Sequence, residues 1–517
     1  MSRDEEIVEG AKLGGRFDIG EARSVLGELS IRGTETMLYL HDADFFHVED
    51  EHAECIRGTL HDRTKVTVLA SAVRSSLGSA TRYDESFSFA ELMPAYIVSG
   101  NRHLSAEVAE ITKVTFHIDD AEQVFYDFDA MGHVIDPRPL IEAVVAANER
   151  HIDRKIPTGP SPDIAYFAGR TELADVETAI GRVRVFHRPI PSHPLSTREV
   201  GMRNRTLVEI CFVEPRLLAG TLDAVLSLLR FLGMLAGRPQ NIDGIWLDTI
   251  GDDRAPPLDL YWTHPPRRPV AWEERSPHPS EILIPVVDEP EQFGTVLSRW
   301  LANDPVRLEA RVRFASGFEQ QRSFSIDRLV GAANMFDILP DDGFSTVAPL
   351  AADLLKAKAL ARGAFRALPN SPERSSVLNA LGRLGRPTLR SKVHDRAALV
   401  SGALREPLVD LDLVTDEAVK CRNYYVHGSP GSFSYAENGD VVSFLTSALE
   451  FFFAASDLID ADWDIAAWRN RGSVLAHPFN RVLHDWDIYA AHIRALREGL
   501  PKKAEDEARA TVAVCCA

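Results

Sequence analysis

Arg422-Asn423-Tyr424-Tyr425-Val426-His427-Gly428 lies between a mixed helical pattern on its N-terminal side and the very apolar segment Val441 to Ile459. An arginine, an adjacent amide and a histidine five positions after the arginine are parts from which a metal-free site for cutting RNA can be made. RNA carries its own nucleophile in the 2′-hydroxyl. Imidazole exchanges protons near neutral pH, and guanidinium is a permanent cation whose donors fit phosphate oxygens.

The interval by itself is cheap. Arg182 to His187, Arg188 to His193 and Arg471 to His477 match it as well. The first lies in an alternating strand pattern, the second in an extended Pro-rich loop, and the third contains Gly472 and precedes Pro478. Only Arg422 to His427 has an amide directly after the arginine, sits at the end of a predicted helix and is followed by a glycine placed to terminate it.

Outward from this stretch, helical spacing dominates from about Phe293 onward. Helices are predicted at Phe293 to Leu301, Pro305 to Phe314, Ser325 to Leu339, Ala348 to Leu368, Ser375 to Leu384, Val393 to Leu404, Leu413 to Val426 and Val441 to Ile459. Pro340, Pro369 and Pro407 mark short loops between several of them, which is the pattern of a helical bundle. Upstream the texture is different. Thr36 to Leu40, Lys65 to Leu69, Ala95 to Val98, Val114 to Ile118, Gly181 to Phe186, Leu207 to Val213, Ile242 to Leu247 and Leu258 to Trp262 read as strands separated by turn residues. Two helices interrupt them, Pro137 to Arg150 and an apolar stripe from Leu222 to Leu235 ended by Gly237. The fold class that follows is α+β: a β-rich N-terminal region of sandwich or open-barrel elements, then an all-α bundle. The expected domains are 1–310, with a sub-boundary near 155, and 311–500, followed by a disordered tail at 501–517.

With 517 residues, 45% hydrophobic and 26% charged, the chain is long enough for several cores and has the composition of a globular protein. Its start is polar and acidic, so no signal peptide is expected. The apolar runs Val225 to Ala236 and Ala448 to Ile459 are about half a bilayer span. A cytoplasmic protein with no membrane partner is therefore expected. Five scattered cysteines (Cys55, Cys211, Cys421, Cys515, Cys516) suggest neither a disulfide framework nor a zinc ribbon. His41 and His47 with Asp42 and Asp44 lack the partners of a zinc site, and neither a metal nor another cofactor is expected.

The formal charge of -19 argues against a general nucleic-acid coat. Lys356 to Arg405 nevertheless holds eleven Lys or Arg against Glu373 and Asp395, directly before the motif. Arg383, Arg386, Arg390, Lys392 and Arg396, with Tyr424 as a stacking ring, are candidate RNA contacts; an ordinary solvated helix face is the competing reading.

Arg422-Asn423-Tyr424-Tyr425-Val426-His427-Gly428 resembles the signature of HEPN domains, helical-bundle nucleases whose motif is an arginine, commonly a polar residue, and a histidine. The Gly-rich opening from Arg16 to Leu40 and the block from Phe87 to Tyr126 are similar to the N-terminal domain of ApeA-type bacterial antiphage proteins. The resemblance implies a metal-independent endoribonuclease with Arg422, His427 and Asn423 as catalytic residues, leaving a 2′,3′-cyclic phosphate and a 5′-hydroxyl. It also implies an RNA substrate, a phage-derived trigger, abortive infection with the nuclease restrained by the N-terminal region, and a homodimer or higher homo-oligomer. Positions 422 and 427 diverge by roughly 140° on an ideal helix, so one copy is expected to aim both side chains at one phosphate poorly. A dimer would supply the rest, with Phe451, Phe452 and Phe453 serving either that contact or the core. Three alternatives stay open, the first of them a purely structural scaffold. Arg422 and His427 can instead neutralise a helix C-terminus, and the bundle can be a non-catalytic HEPN-type adaptor that binds nucleotide, RNA or protein.

Overall fold

The computed structural model describes residues 8–20, 23–49, 53–82, 85–192, 201–251, 254–266, 276–320, 323–340, 344, 350–472 and 476–499. The expected tail at 501–517, with Cys515 and Cys516, lies outside them, as does His193. The chain divides into two compact units. The first comprises 1–229, 240–267 and 285–294, and the second 230–239, 268–284 and 295–517. The division is therefore not a single point in the sequence.

The first unit is built on one antiparallel sheet of fourteen described strands. In chain order they are β1 Lys12–Asp18, β2 Ser24–Ser30, β3 Met37–Asp42, β4 Cys55–Leu60, β5 Lys65–Leu69, β6 Ala72–Arg82, β7 Glu85–Met93, β8 Tyr96–Gly100, β9 Ile111–Ile118, β12 Glu172–Thr178, β13 Gly181–Ser192, β14 Gly201–Arg216, β15 Ile242–Thr249 and β16 Leu258–Trp262. β10 Met131–His133 and β11 Ala165–Phe167 form a separate pair. The sheet order is β12-β13-β14-β9-β15-β16-β8-β5-β4-β1-β2-β3-β7-β6. Strands from either side of position 155 thus interleave, with β9 between β14 and β15 and β16 beside β8.

The glycines of the opening have a steric role. A Cβ at Gly27 would stand 2.8 Å from the Phe17 ring and one at Gly58 would stand 2.5 Å from it. These two strands leave room for a ring that is itself fully buried. Around it Val25, Leu38, Ile56, Val66 and Ile97 form a continuous core. On β13 the period-2 pattern places Val183 and Val185 inward while Arg182 and Arg184 pair with Asp175, Glu172 and Glu209 on the other face.

Among the described residues three α-helices accompany the strands: α1 Ala121–Val124, α2 Arg138–Ile152 and α3 Leu218–Ala236. α2 follows the predicted spacing but buries no residue. α3 ends at Gly237, whose φ of 70° is left-handed. The unit division falls within α3, between Leu229 and Arg230.

The second unit is helical. Its helices are α4 Pro290–Ala302 from Thr295 onward, α5 Asp304–Glu319, α6 Ile326–Ile338, α7 Ala352–Arg366, α8 Pro372–Arg383, α9 Leu389–Leu404, α10 Leu411–His427, α11 Gly439–Ile459, α12 Ile465–Asn470 and α13 Pro478–Glu498. Ser325, Ser371 and Thr388 begin three of them by accepting a backbone N–H of the first turn. α11 is the axis, packed by α5, α6, α9, α10 and α13. Phe451, Phe452 and Phe453 are buried along it, against Phe479, Trp486, Phe314 and Phe336. Core packing, not a dimer face, is therefore the use of this aromatic run.

Two buried carboxylates on α11 anchor the neighbouring helices. Asp457 accepts from Arg311 Nε at 2.8 Å and Arg307 Nη1 at 2.6 Å, and Glu450 accepts from Arg328 at 2.6 and 2.8 Å. Burial alone would raise both acids; at Asp457 two guanidiniums overcome it and hold the carboxyl below its ordinary range, whereas at Glu450 one does not, and its pKa is raised.

α3 and α11, at 19 and 21 residues, are long and apolar enough to cross a membrane by length and composition. This corrects the shorter spans read from the sequence. Most of each helix is buried within the protein, as expected of core helices.

Candidate functional site

Arg422, Asn423 and His427 occupy the last turn and a half of α10, and α10 stops at Gly428 with φ 65° and ψ 23°. The Gly428 N–H returns to the Tyr424 carbonyl at 3.0 Å. A Cβ at Gly428 would meet nothing, so the glycine is needed for its left-handed backbone and not for space. His427 is thereby the final helical residue, with its ring exposed.

The two side chains converge within one chain. Arg422 Nη1 donates to His427 Nε2 at 3.0 Å and to Asn423 Oδ1 at 3.0 Å. The predicted 140° divergence is overcome by the length of the arginine, which reaches forward to the helix end. The two side chains therefore meet within one copy of the chain. Because guanidinium only donates, Nε2 must present its lone pair here, which assigns the imidazole proton to Nδ1.

A third group comes from another helix. Asn334 on α6 accepts from Arg422 Nη2 at 3.0 Å, and Asp337, one turn on, places Oδ2 3.9 Å from the same nitrogen. Arg422 Nε is buried and has no acceptor among the described residues. The guanidinium is thus held by three neutral acceptors, while its nearest carboxylate is at ion-pair distance only and half exposed. None of its described hydrogen bonds goes to an α10 carbonyl, so helix-end capping does not describe it.

Behind the motif, Tyr424, Tyr425, Phe433 and Tyr435 form a ring cluster with centroids 5.0 to 6.3 Å apart. Tyr435 is buried, donates to Glu417 Oε1 at 2.6 Å, and has its phenol pKa raised by burial and that carboxylate. Burial also pushes the Cys421 thiol up to about 12. Tyr424 remains partly exposed at the outer edge.

The basic segment separates into two kinds of residue. Arg383, at the end of α8, and Arg386 are exposed. Arg390 is exposed but engaged by both oxygens of Asp416, at 2.5 and 2.6 Å. Lys392 and Arg396 are buried, which corrects their placement on an RNA-facing surface. Lys392 donates to the Asp337 and Leu339 carbonyls at 3.3 and 2.8 Å, closing the C-terminus of α6, and Arg396 pairs with Asp460. Both cations also face the Phe344 ring, at 4.9 and 5.1 Å.

The two other Arg–His intervals that lie within the described residues build nothing comparable. Arg182 and His187, five apart on a strand, point to opposite faces, one to Asp175 and the other to a buried place beside Asn204. Arg471 donates to the Leu283 carbonyl, while His477 caps α13. Asp42 of the former metal candidates is the partner of Arg23 at 3.3 Å.

Residues 14–300 match the family model ApeA N-terminal domain 1. The chain belongs to the ApeA family. Residues 330–465 match a second model, Apea-like HEPN, which spans Asn334, Arg422 and His427. The ApeA assignment makes the chain an ApeA-type HEPN antiphage protein, and HEPN domains are generally ribonucleases. No curated protein and no solved structure matches the chain.

Asn334 and Asp337 were not singled out from the sequence. The available signal was two polar residues three apart in the otherwise apolar stretch Ala332-Ala333-Asn334-Met335-Phe336-Asp337, which share a helix face. Nothing in the sequence said which helix that face would meet.

Proposed function

We propose that the ApeA-family chain is a metal-independent endoribonuclease, with the site at the end of α10 performing 2′-hydroxyl transesterification. The observation that carries this reading is a half-buried guanidinium held by amide and imidazole acceptors, with one N–H 3.0 Å from Nε2 of an exposed imidazole. In the reaction, His427 Nε2 takes the 2′-hydroxyl proton, the 2′-oxygen bonds to phosphorus, and the bond from phosphorus to the 5′-oxygen breaks. Water reprotonates the departing 5′-oxygen. Arg422 lies beside the phosphate, where its positive charge stabilises the additional negative charge of the pentavalent transition state. Asn423 orients the arginine. Metal is unnecessary because nucleophile, base and countercharge are all supplied.

RNA reaches the site across Arg383, Arg386 and the exposed edge of Tyr424, with Arg390 available at the cost of its Asp416 pair. The sheet-containing region restrains the nuclease until a phage-derived trigger relieves it, and release of the activity aborts infection. HEPN domains often pair, and the active form is a homodimer or larger assembly; its interface excludes Phe451 to Phe453, which the bundle already consumes.

The test is incubation of purified wild-type and His427→Ala protein with total RNA in EDTA. Cleavage by the wild type alone, leaving cyclic phosphate ends, is the expected result. Equal cleavage by both proteins, or cleavage that EDTA abolishes, rejects the mechanism.

A further inference from the structure

We infer that Asn334 is a positioning residue for Arg422, holding the guanidinium without neutralising it so that its charge stays available to a phosphate; this rests on the reading of Arg422 given above. Asn423 is the next residue on the same helix and His427 is the last residue of it, so neither fixes the arginine against the rest of the bundle. Asn334 does, because it comes from α6 and grips the other terminal nitrogen, Nη2, at 3.0 Å. α6 is in turn closed by buried Lys392 on the Asp337 and Leu339 carbonyls.

The division of donors gives Asn334 its purpose. In the arrangement described, Nη1 occupies the Nε2 lone pair that the reaction needs. A phosphate oxygen must take over that N–H before His427 can accept the 2′-hydroxyl proton. The Nη1 contact is therefore exchanged during binding, while the Nη2 contact persists and serves as the pivot. Amide chemistry is what the position requires. A carboxylate at 3.0 Å would compensate the guanidinium and compete with the phosphate, as Asp457 does with Arg311. A side chain with no acceptor would leave the arginine unanchored.

The experiment compares Asn334→Ala and Asn334→Asp with wild type. It measures kcat and KM on a short RNA, binding of the 2′-O-methyl version of that RNA by anisotropy, and thermal unfolding. Asn334→Ala is expected to lower kcat about ten- to hundred-fold with KM changed less than about three-fold, since orientation matters most in the transition state. Asn334→Asp is expected to unfold at the wild-type temperature or above, yet to weaken binding of the uncleavable RNA about ten-fold. Wild-type kcat in Asn334→Ala, or wild-type RNA affinity in Asn334→Asp, overturns the inference. So does a loss in both variants that merely follows the folded fraction. If the wild type binds RNA without cutting it, the nuclease reading fails while the Asp substitution still tests the pivot through binding. If it binds no RNA at all, both fail.

Discussion

Arg311 and Arg422 are the same residue in the same bundle, and they are treated in opposite ways. Arg311 is fully buried, donates to both oxygens of Asp457, to Asp304 and to the Trp300 carbonyl, and lies 3.7 Å over the Trp300 ring. Arg422 meets two amides and an imidazole, has one donor with no acceptor, and has its nearest carboxylate at 3.9 Å. The first arrangement spends all the electrostatic capacity of the guanidinium within the fold. The second holds the group in place with its charge compensated only weakly, by the half-exposed Asp337 at 3.9 Å, which is what an anion-handling site needs. Saturation of the partners, more than the residue type, separates structure from chemistry here.

The sharpest way to break this comparison is to delete each arginine. Arg422→Ala is expected to reduce RNA cleavage a thousand-fold or more, about 4 kcal/mol of transition-state stabilisation, with the melting temperature little changed. Arg311→Ala leaves the buried Asp457 with Arg307 as its one guanidinium partner and removes a hydrogen bond from Asp304, and is expected to cost roughly 3–5 kcal/mol of stability in denaturant titrations. Activity of the Arg311 variant should fall only with its folded fraction. If Arg422→Ala unfolds the bundle as severely as Arg311→Ala does, the distinction collapses.

The same contrast explains what could be read in advance. Helices and strands were legible because apolar periodicity and turn residues are local, as at Leu222 to Leu235 or Gly181 to Phe186. α13 was passed over: its buried Val482, Trp486, Ala490 and Ile493 are interspersed with Arg481, His484, Asp485, Asp487 and Arg494, so its apolar stripe is thin. The motif itself was legible through its context, the amide after the arginine and the glycine after the histidine. Its geometry was not, because an ideal helix says nothing of how far an arginine side chain can bend along it. The partners were also hidden. Whether Lys392 faces solvent or the α6 carbonyls depends on which helices meet, and 53 residues separate it from Leu339. Charge counted along the chain grouped Lys392 with Arg383, while folding put one inside and one outside.

Histidines repeat the contrast at a smaller energy. His427 is exposed with Nε2 facing Arg422, whereas His477 is buried, accepts the Phe479 N–H at Nδ1 and meets the Met234 carbonyl through Nε2 at 3.2 Å. Burial depresses its pKa from 6.5 to about 3, the carbonyl contact opposing only in part. Between those values the unfolded chain binds more protons than the folded one. Its stabilising effect is therefore complete above the unfolded pKa and is lost progressively as pH falls towards the folded one, on the order of 3 kcal/mol by pH 4. His477→Asn retains a cap acceptor without titrating, and urea midpoints at pH 7 and pH 4.5 should differ less in the variant than in wild type. Equal pH dependence in the two proteins would mean that the ring is not saturated as described.

The smallest effect is expected where exposed and buried cations are compared within the basic segment. If Arg383 and Arg386 meet phosphates, Arg383→Gln with Arg386→Gln removes two contacts. The dependence of log affinity on log salt for a single-stranded RNA should then become shallower by about 1.4, with affinity falling only a few-fold at moderate salt. Lys392→Met with Arg396→Met should leave that slope unchanged and instead lower the melting temperature, because it removes the lid on the α6 carbonyls and leaves Asp460 with one guanidinium fewer. The slope is the decisive quantity, since a loss of folded protein lowers apparent affinity without altering the number of ions released. An unchanged slope in the Arg383 and Arg386 variant would place the RNA path elsewhere and leave Arg422 as the phosphate contact that the site itself supports.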